Sequence, residues 1–121
     1  MQIFGHEYLE SEAFYAVETL EEIAKTPANA LLQLKPLSNS LSIAKHCQKN
    51  VLSYVLEIES IEEAMLANLL GATYVLCTKE LAKELMPIAQ NYLFDVRVLA
   101  LIKEGEIEEM AKCGVDGVVL G

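Results

Sequence analysis

The residues of this 121-residue chain that could do chemistry stand at the ends of short apolar runs. Lys35 closes "ALLQLK" (30 to 35), Glu57 and Glu59 sit in "LSYVLEIE" (52 to 59), Thr78 closes "TYVLCT" (73 to 78), and Lys103 closes "VRVLALIK" (96 to 103) ahead of Glu104. A carboxylate near an ammonium group can move a proton while the cation holds an anion. In that reading Glu57 is the acid or base, Lys35 or Lys103 binds an anionic substrate, and Thr78 adds a strand-end hydroxyl. Exposed amides near Gly105, where a helix begins, could cradle a phosphate. The period of two along a strand puts Gln33 with Lys35, Glu57 with Glu59, and Arg97 with Lys103 on common faces. A plainer assignment competes and is favoured: the lysines and Glu59 are solvated strand ends, and Glu57 forms a structural ion pair with Arg97 or a lysine.

Other reactive groups carry less. Cys77 ends a strand, but the only imidazoles, His6 and His46, lie in no strand-end motif, so Cys77 reads as a buried small hydrophobe. Cys47, Cys77 and Cys113 form no C-x-x-C pair, and no Asp/Glu cluster has metal spacing. No G-x-G-x-x-G or Walker A sequence occurs. No metal and no cofactor are expected.

Eighteen acidic against 9 basic residues give a net charge of -9, which repels phosphate backbones and anionic lipid and argues against nucleic acid or a membrane as partner. No signal-peptide pattern opens the chain, no apolar run is long enough to span a bilayer, and three free thiols suit a reducing compartment. The expectation is one cytoplasmic domain over residues 1 to 121.

The runs that must position these groups recur regularly. "FYAVE" (14 to 18) precedes the four above, and "GVVL" (117 to 120) follows them. Between them lie segments of helical period, and strand alternating with helix is the α/β pattern. Thr19 with Glu22 and Ser60 with Glu63 have capping-box spacing, inside matching stretches "VETLEEIA" and "IESIEEAM". A looser copy, "GEIEEMA", starts at 105. Apolar character on both faces of the runs implies a parallel sheet covered by helices. Two points stay open: residues 10 to 25 fit either one helix or a strand plus a short helix, and Pro87 either kinks or interrupts its helical segment.

The succession "ANALLQL", "SYVLEIESIEEAMLANLLGATYVLCT" and "VRVLALIKEGEIEEMAKCGVDGVVLG" resembles the later strands of the phosphate-binding TIM barrels, nearest in pattern to indole-glycerol-phosphate synthase. The resemblance places the chain on the third to eighth strands of such a barrel, with the first two missing. It implies that Glu57 occupies the place of a catalytic glutamate. Other family features are not matched: "FYAVE" has no lysine, "CTKEL" stands where an asparagine loop is usual, and Ile102 and Lys103 replace a Ser-Glu pair. The synthase reaction is therefore not transferred.

These readings combine into an α/β fold of repeated strand-helix units. Its parallel sheet would have about five or six strands and form a TIM-barrel-related partial barrel, or alternatively an open flavodoxin-like three-layer sandwich. Six strands leave unpaired edges, so a homodimer is expected. Two functions fit. One is binding of a small anionic or phosphorylated metabolite, with lyase or isomerase chemistry, through Glu57, Lys35 and Lys103. The other is a non-catalytic barrel-derived protein acting through oligomerisation or protein contacts. Convergence of the three residues in one cleft would favour the first, and an apolar filling at the strand ends the second.

Overall fold

A computed structural model describes every residue from Met1 to Gly121. Seven strands and five helices follow one another as β1 (Gln2–Phe4), β2 (Phe14–Ala16), α1 (Leu20–Ala24), β3 (Leu31–Leu34), α2 (Leu37–Lys49), β4 (Tyr54–Glu57), α3 (Ile61–Leu69), β5 (Tyr74–Thr78), α4 (Lys79–Asn91), β6 (Arg97–Ile102), α5 (Ile107–Cys113) and β7 (Gly117–Leu120). All pairings are parallel, and the spatial order is β1-β7-β6-β5-β4-β3-β2. The sheet curls into a partial barrel. Its helices lie on the convex face, where α2, α4 and the other helices share one core with outward strand residues such as Leu34, Leu56, Val75 and Val98. The inward residues Leu31, Val55, Leu76 and Leu99 form a second core that contains no helical residue.

That division excludes the three-layer sandwich, in which helices cover both faces and the strand order reverses at a switch point. Here β2 to β7 follow one another without reversal. The strands are apolar throughout because one face meets helices and the other meets the barrel interior.

Two further expectations are corrected or resolved. The sheet has seven strands, because the three residues Gln2–Phe4, too short to show a period, pair with β7 and cover the edge that six strands would leave there. Residues 10 to 25 contain strand β2 and the five-residue helix α1, not one helix. Thr19 accepts from the Glu22 amide at 3.2 Å and Glu22 reaches back to the Thr19 amide at 3.1 Å, so the capping box starts the chain into α1 at that point. Helix α4 runs without a break through Pro87.

The curl is closed on the inside by aromatic rings. Phe4 of β1 stands 5.0 Å from Phe14 of β2 and 5.9 Å from Tyr74 of β5, whose hydroxyl donates to Gln2 Oε1 at 2.7 Å. The rings of the two edge strands thus meet across the seam, although no ladder joins β1 to β2. The helices end alike: left-handed residues Val51, Gly71 and Leu93 follow α2, α3 and α4. In each case the next amide returns to the helix, Leu52 to Cys47 O at 2.9 Å, Ala72 to Ala67 O at 3.1 Å and Phe94 to Ala89 O at 2.9 Å. This is the Schellman closure repeated three times.

Candidate functional site

Ligands of parallel α/β sheets bind beyond the carboxyl ends of the strands, where the following helices begin. Two open clefts lie there. One, of about 500 Å³, lies between the ends of β2 and β3 and is lined by Val17, Glu18, Thr19, Lys35, Asn39 and Ser40. The other, of about 380 Å³, lies over the ends of β5 to β7, where Thr78, Lys79, Leu101, Lys103 and Glu106 surround Gly121. They have no lining residue in common, and Glu57 lines neither.

The two lysines therefore line different clefts, while Lys35, next after Leu34 in the register of β3 with β4, stands opposite Glu57 without pairing with it. Half-buried Glu57 accepts from Gln33 Nε2 at 3.1 Å. It forms no ion pair, which corrects the expected contact with Lys35, Lys103 or Arg97. The reason is register. Gln33 and Glu57 both point inward on neighbouring strands, with Gln33 opposite Val55, so their side chains meet diagonally. Lys35 lies one residue beyond β3, where Pro36 turns the chain into α2. Arg97 begins β6, opposite Tyr74 and two residues below the level of Leu76 and Glu57. Lys103 lies past the end of β6, two strands away from β4.

Each remaining candidate has a local task. Thr78 caps α4, accepting from the Leu81 amide at 3.3 Å. Gly105 takes a left-handed turn at φ 88° just ahead of the first residue of α5. The groups that gather after that turn are carboxylates. Glu106 accepts from the Lys103 amide at 2.9 Å and pairs with Lys79, while Glu109 pairs with Lys83 at 2.5 Å. These bonds hold the Glu106 and Glu109 carboxyls below the usual carboxylate range, in both cases first through the lysine side-chain hydrogen bond. They raise the two lysines in turn. The arrangement clasps α4 to α5 and sets carboxylates beside the Gly105 turn.

Cys77 is a buried hydrophobe as the sequence implies. Burial pushes its thiol up to about 12, far from a reactive thiolate. Beneath the strand ends the barrel interior is filled: Phe4, Leu31, Val55, Tyr74, Leu76 and Leu99 pack together with Phe14 and Val119 against them. No group of three or more His, Cys, Asp or Glu side chains is placed to hold a metal ion, and no helix is long and apolar enough to cross a membrane.

Two features escape a reading of the sequence. Gln33 is the partner of Glu57, which only pairing of β3 with β4 reveals. The second is a charge asymmetry visible once the helices have ends. From the last strand residues to the first helical turns there are twelve glutamates against three lysines. At the opposite end, Lys25, Lys49, Arg97 and Lys112 face only Asp95 and Asp116. Acidic first turns complement the positive helix ends, so the same arrangement that stabilises each helix concentrates the charge of the molecule. No protein-family model matches the sequence, and no curated protein is significantly similar to it.

Proposed function

We propose that this chain is a non-catalytic, barrel-derived protein that acts through contacts with other protein surfaces. The observation that carries this reading is the filled interior, with the two candidate anion-binding lysines in different clefts and Glu57 bonded to a neutral amide. A proton-transfer group must come within hydrogen-bond reach of its substrate, directly or through one water, and Glu57 lines neither strand-end cleft. Descent from phosphate-binding TIM barrels is part of the proposal. It is supported by the uniform strand-helix succession and by β1, which sits beside the last strand as a first barrel strand would.

A second reading is favoured by one specific observation. Lys35 has no carboxylate partner and lies beside the start of α2, whose first turn no side chain caps. A free ammonium and uncapped amides form a site for a small anionic metabolite.

One experiment separates the two. Thermal midpoints are measured across a protein concentration series, with and without inorganic phosphate and a set of phosphorylated metabolites. The contact reading predicts a midpoint that rises with protein concentration and does not respond to the anions. A saturable anion-induced rise that Lys35→Met removes, in a protein whose midpoint ignores its own concentration, would overturn it in favour of the second.

A further inference from the structure

Strand β1 is set apart from the rest of the molecule. From β2 onward every pair of consecutive strands is joined through a helix, whereas β1 and β2 are joined by residues 5 to 13, which contain no helix and no buried side chain. The hydrogen bonds of this connection run within it, from the Gly5 amide to Ser11 Oγ at 3.1 Å, the Leu9 amide to the His6 carbonyl at 3.0 Å and the Tyr8 amide to His6 Nδ1 at 3.1 Å. The core shared by the helices and the sheet holds no buried residue of β1, and Ile3 packs only at its margin. Phe4 is the one buried residue of the strand. Few buried contacts and an exposed, self-contained connection mark a segment that opens at lower free energy than the core around it.

The seat that β1 occupies is nevertheless specific. Its backbone pairs with β7 from Gln2 opposite Gly117 to Phe4 opposite Val119, and the Gln2 amide donates to the Asp116 carbonyl at 3.0 Å. Facing inward, Gln2 Oε1 accepts from the Tyr74 hydroxyl at 2.7 Å, and the Phe4 ring stands 5.0 Å from Phe14 and 5.9 Å from Tyr74. Gly117 admits the close approach of the Gln2 carbonyl, 2.9 Å from where a β-carbon would stand. With β1 lifted away, β2 to β7 keep all five helices and the larger core, and the seat presents an open β7 edge beside uncovered Phe14, Tyr74 and Leu99. An open edge next to apolar side chains recruits a strand.

The strand that fits this seat is the one the structure shows in it, and a second copy of the chain carries the same one. We propose that β1 is exchangeable: it leaves β7 together with its connection, and two copies pair by each laying its β1 on the other's β7. Exchange restores every contact that β1 makes, so the cost falls on the connection alone. There the closed chain needs Gly5 in left-handed backbone, at φ 84°, with the Leu120 carbonyl 3.0 Å from where a side chain would begin. Once extended, residues 5 to 13 reach about 30 Å, enough to bridge adjoining copies. The two connections then run side by side, where Tyr8 and Leu9, 84% and 50% exposed in the closed chain, gain cover, and Glu7, Glu10 and Glu12 of one copy face those of the other. The inference rests on the contact reading above, to which it gives a surface and a partner.

The test mixes two single variants, Ile3→Cys and Val118→Cys, under mild oxidation at about 200 µM, a concentration that populates dimers of micromolar dissociation constant. Ile3 and Val118 are register partners on β1 and β7, so a disulfide between the two different chains forms only where β1 of one lies on β7 of the other. The expected result is that mixed disulfide dimer, absent when either variant is mixed with the natural chain, which controls for Cys47, Cys77 and Cys113. Sedimentation equilibrium supplies a second reading that needs no change in the core. The dimer should tighten about threefold or more in Glu7→Gln/Glu10→Gln/Glu12→Gln, which removes the repulsion between connections, and salt should tighten the natural chain in the same direction. A dimer that lacks the mixed disulfide overturns the exchange and leaves the contact reading intact. Where Val118→Cys does not fold, a dimer that ignores the triple substitution does the same. A monomer at every concentration overturns the exchange, and the response to anions described above then decides the contact reading separately.

Discussion

Glu57 shows how much a neighbour one strand away decides about a residue. A carboxylate in an otherwise apolar strand needs a partner, and the sequence offers three cations at plausible distances along the chain. The partner that arrives is the neutral amide of Gln33, at 3.1 Å. Glu57→Gln therefore keeps an acceptor for Gln33 and leaves no cation stranded. The expected loss is about 1 kcal/mol or less, the difference between a charge-assisted and a neutral hydrogen bond at a half-buried site. Urea denaturation of the variant checks this. A loss of 3 kcal/mol or more, roughly what removing one partner of a buried ion pair costs, would mean that a cation had depended on Glu57.

At the scale of elements, helices α4 and α5 are clasped by Lys79 with Glu106 and Lys83 with Glu109. Both carboxyls are held below their ordinary values, chiefly by the lysine hydrogen bonds. Their contribution to stability is therefore present above the ordinary carboxylate range and disappears as pH falls through the lowered folded-state values. The lysines are raised, so their side of the linkage is complete below the ordinary ammonium value and is lost only as pH rises through the elevated one. The expected outcome is that the natural chain and a Glu106→Gln/Glu109→Gln variant differ in thermal midpoint near neutral pH and converge in acid. The gap should also shrink at about 1 M salt, because these groups are exposed to screening. Midpoints measured against pH and salt check it, and a gap that widens on acidification would reverse the assigned sign. The sequence announces half of this clasp, since the glutamates of "GEIEEMA" mark a helix start. It gives no sign of the lysines they meet, which lie 26 and 27 positions earlier and come near only when β5 and β6 pair.

For the molecule as a whole, the decisive contact is between chain ends. β1 pairs with β7, and it lies so close to β7 that a methyl group built on Gly117 would stand 2.7 Å from Leu99 Cδ2 and 2.9 Å from the Gln2 carbonyl. The Leu99 side chain is fully buried and the Gln2 carbonyl is backbone, so neither can move without disturbing the inner core or the β1 pairing. Gly117→Ala is expected to cost about 1 to 3 kcal/mol, the range for overpacking a dense interior. It should also lower hydrogen-exchange protection along β1 before the rest of the sheet. Exchange measured by mass spectrometry with urea denaturation checks both, and unchanged protection at Ile3 and Phe4 would show that the N-terminal strand is held by something other than this close approach.

Spacing and local chemistry along the chain determine most of the scaffold. The runs from "ALLQLK" to "GVVL" are strands because apolar side chains on both faces can be buried only in a parallel sheet covered by helices, and Thr19 and Ser60 start helices because their hydroxyls meet amides three residues on. These are interactions within a few residues, or properties of a single segment. Tertiary structure alone decides that Gln2–Phe4 is a strand, since three residues have no readable period and become one only because β7 presents an open edge. It alone decides that the sheet curls instead of lying open, because that follows from Phe4 and Phe14 of the two edge strands meeting each other, with Phe4 also against Tyr74 of the central strand β5. It also puts Lys35 and Lys103 in different clefts and gives Glu57 to Gln33, because a shared position at strand ends says nothing about where each side chain leaves the sheet. A period places a residue on a face, but distance between faces depends on curvature and register, which belong to the assembled sheet.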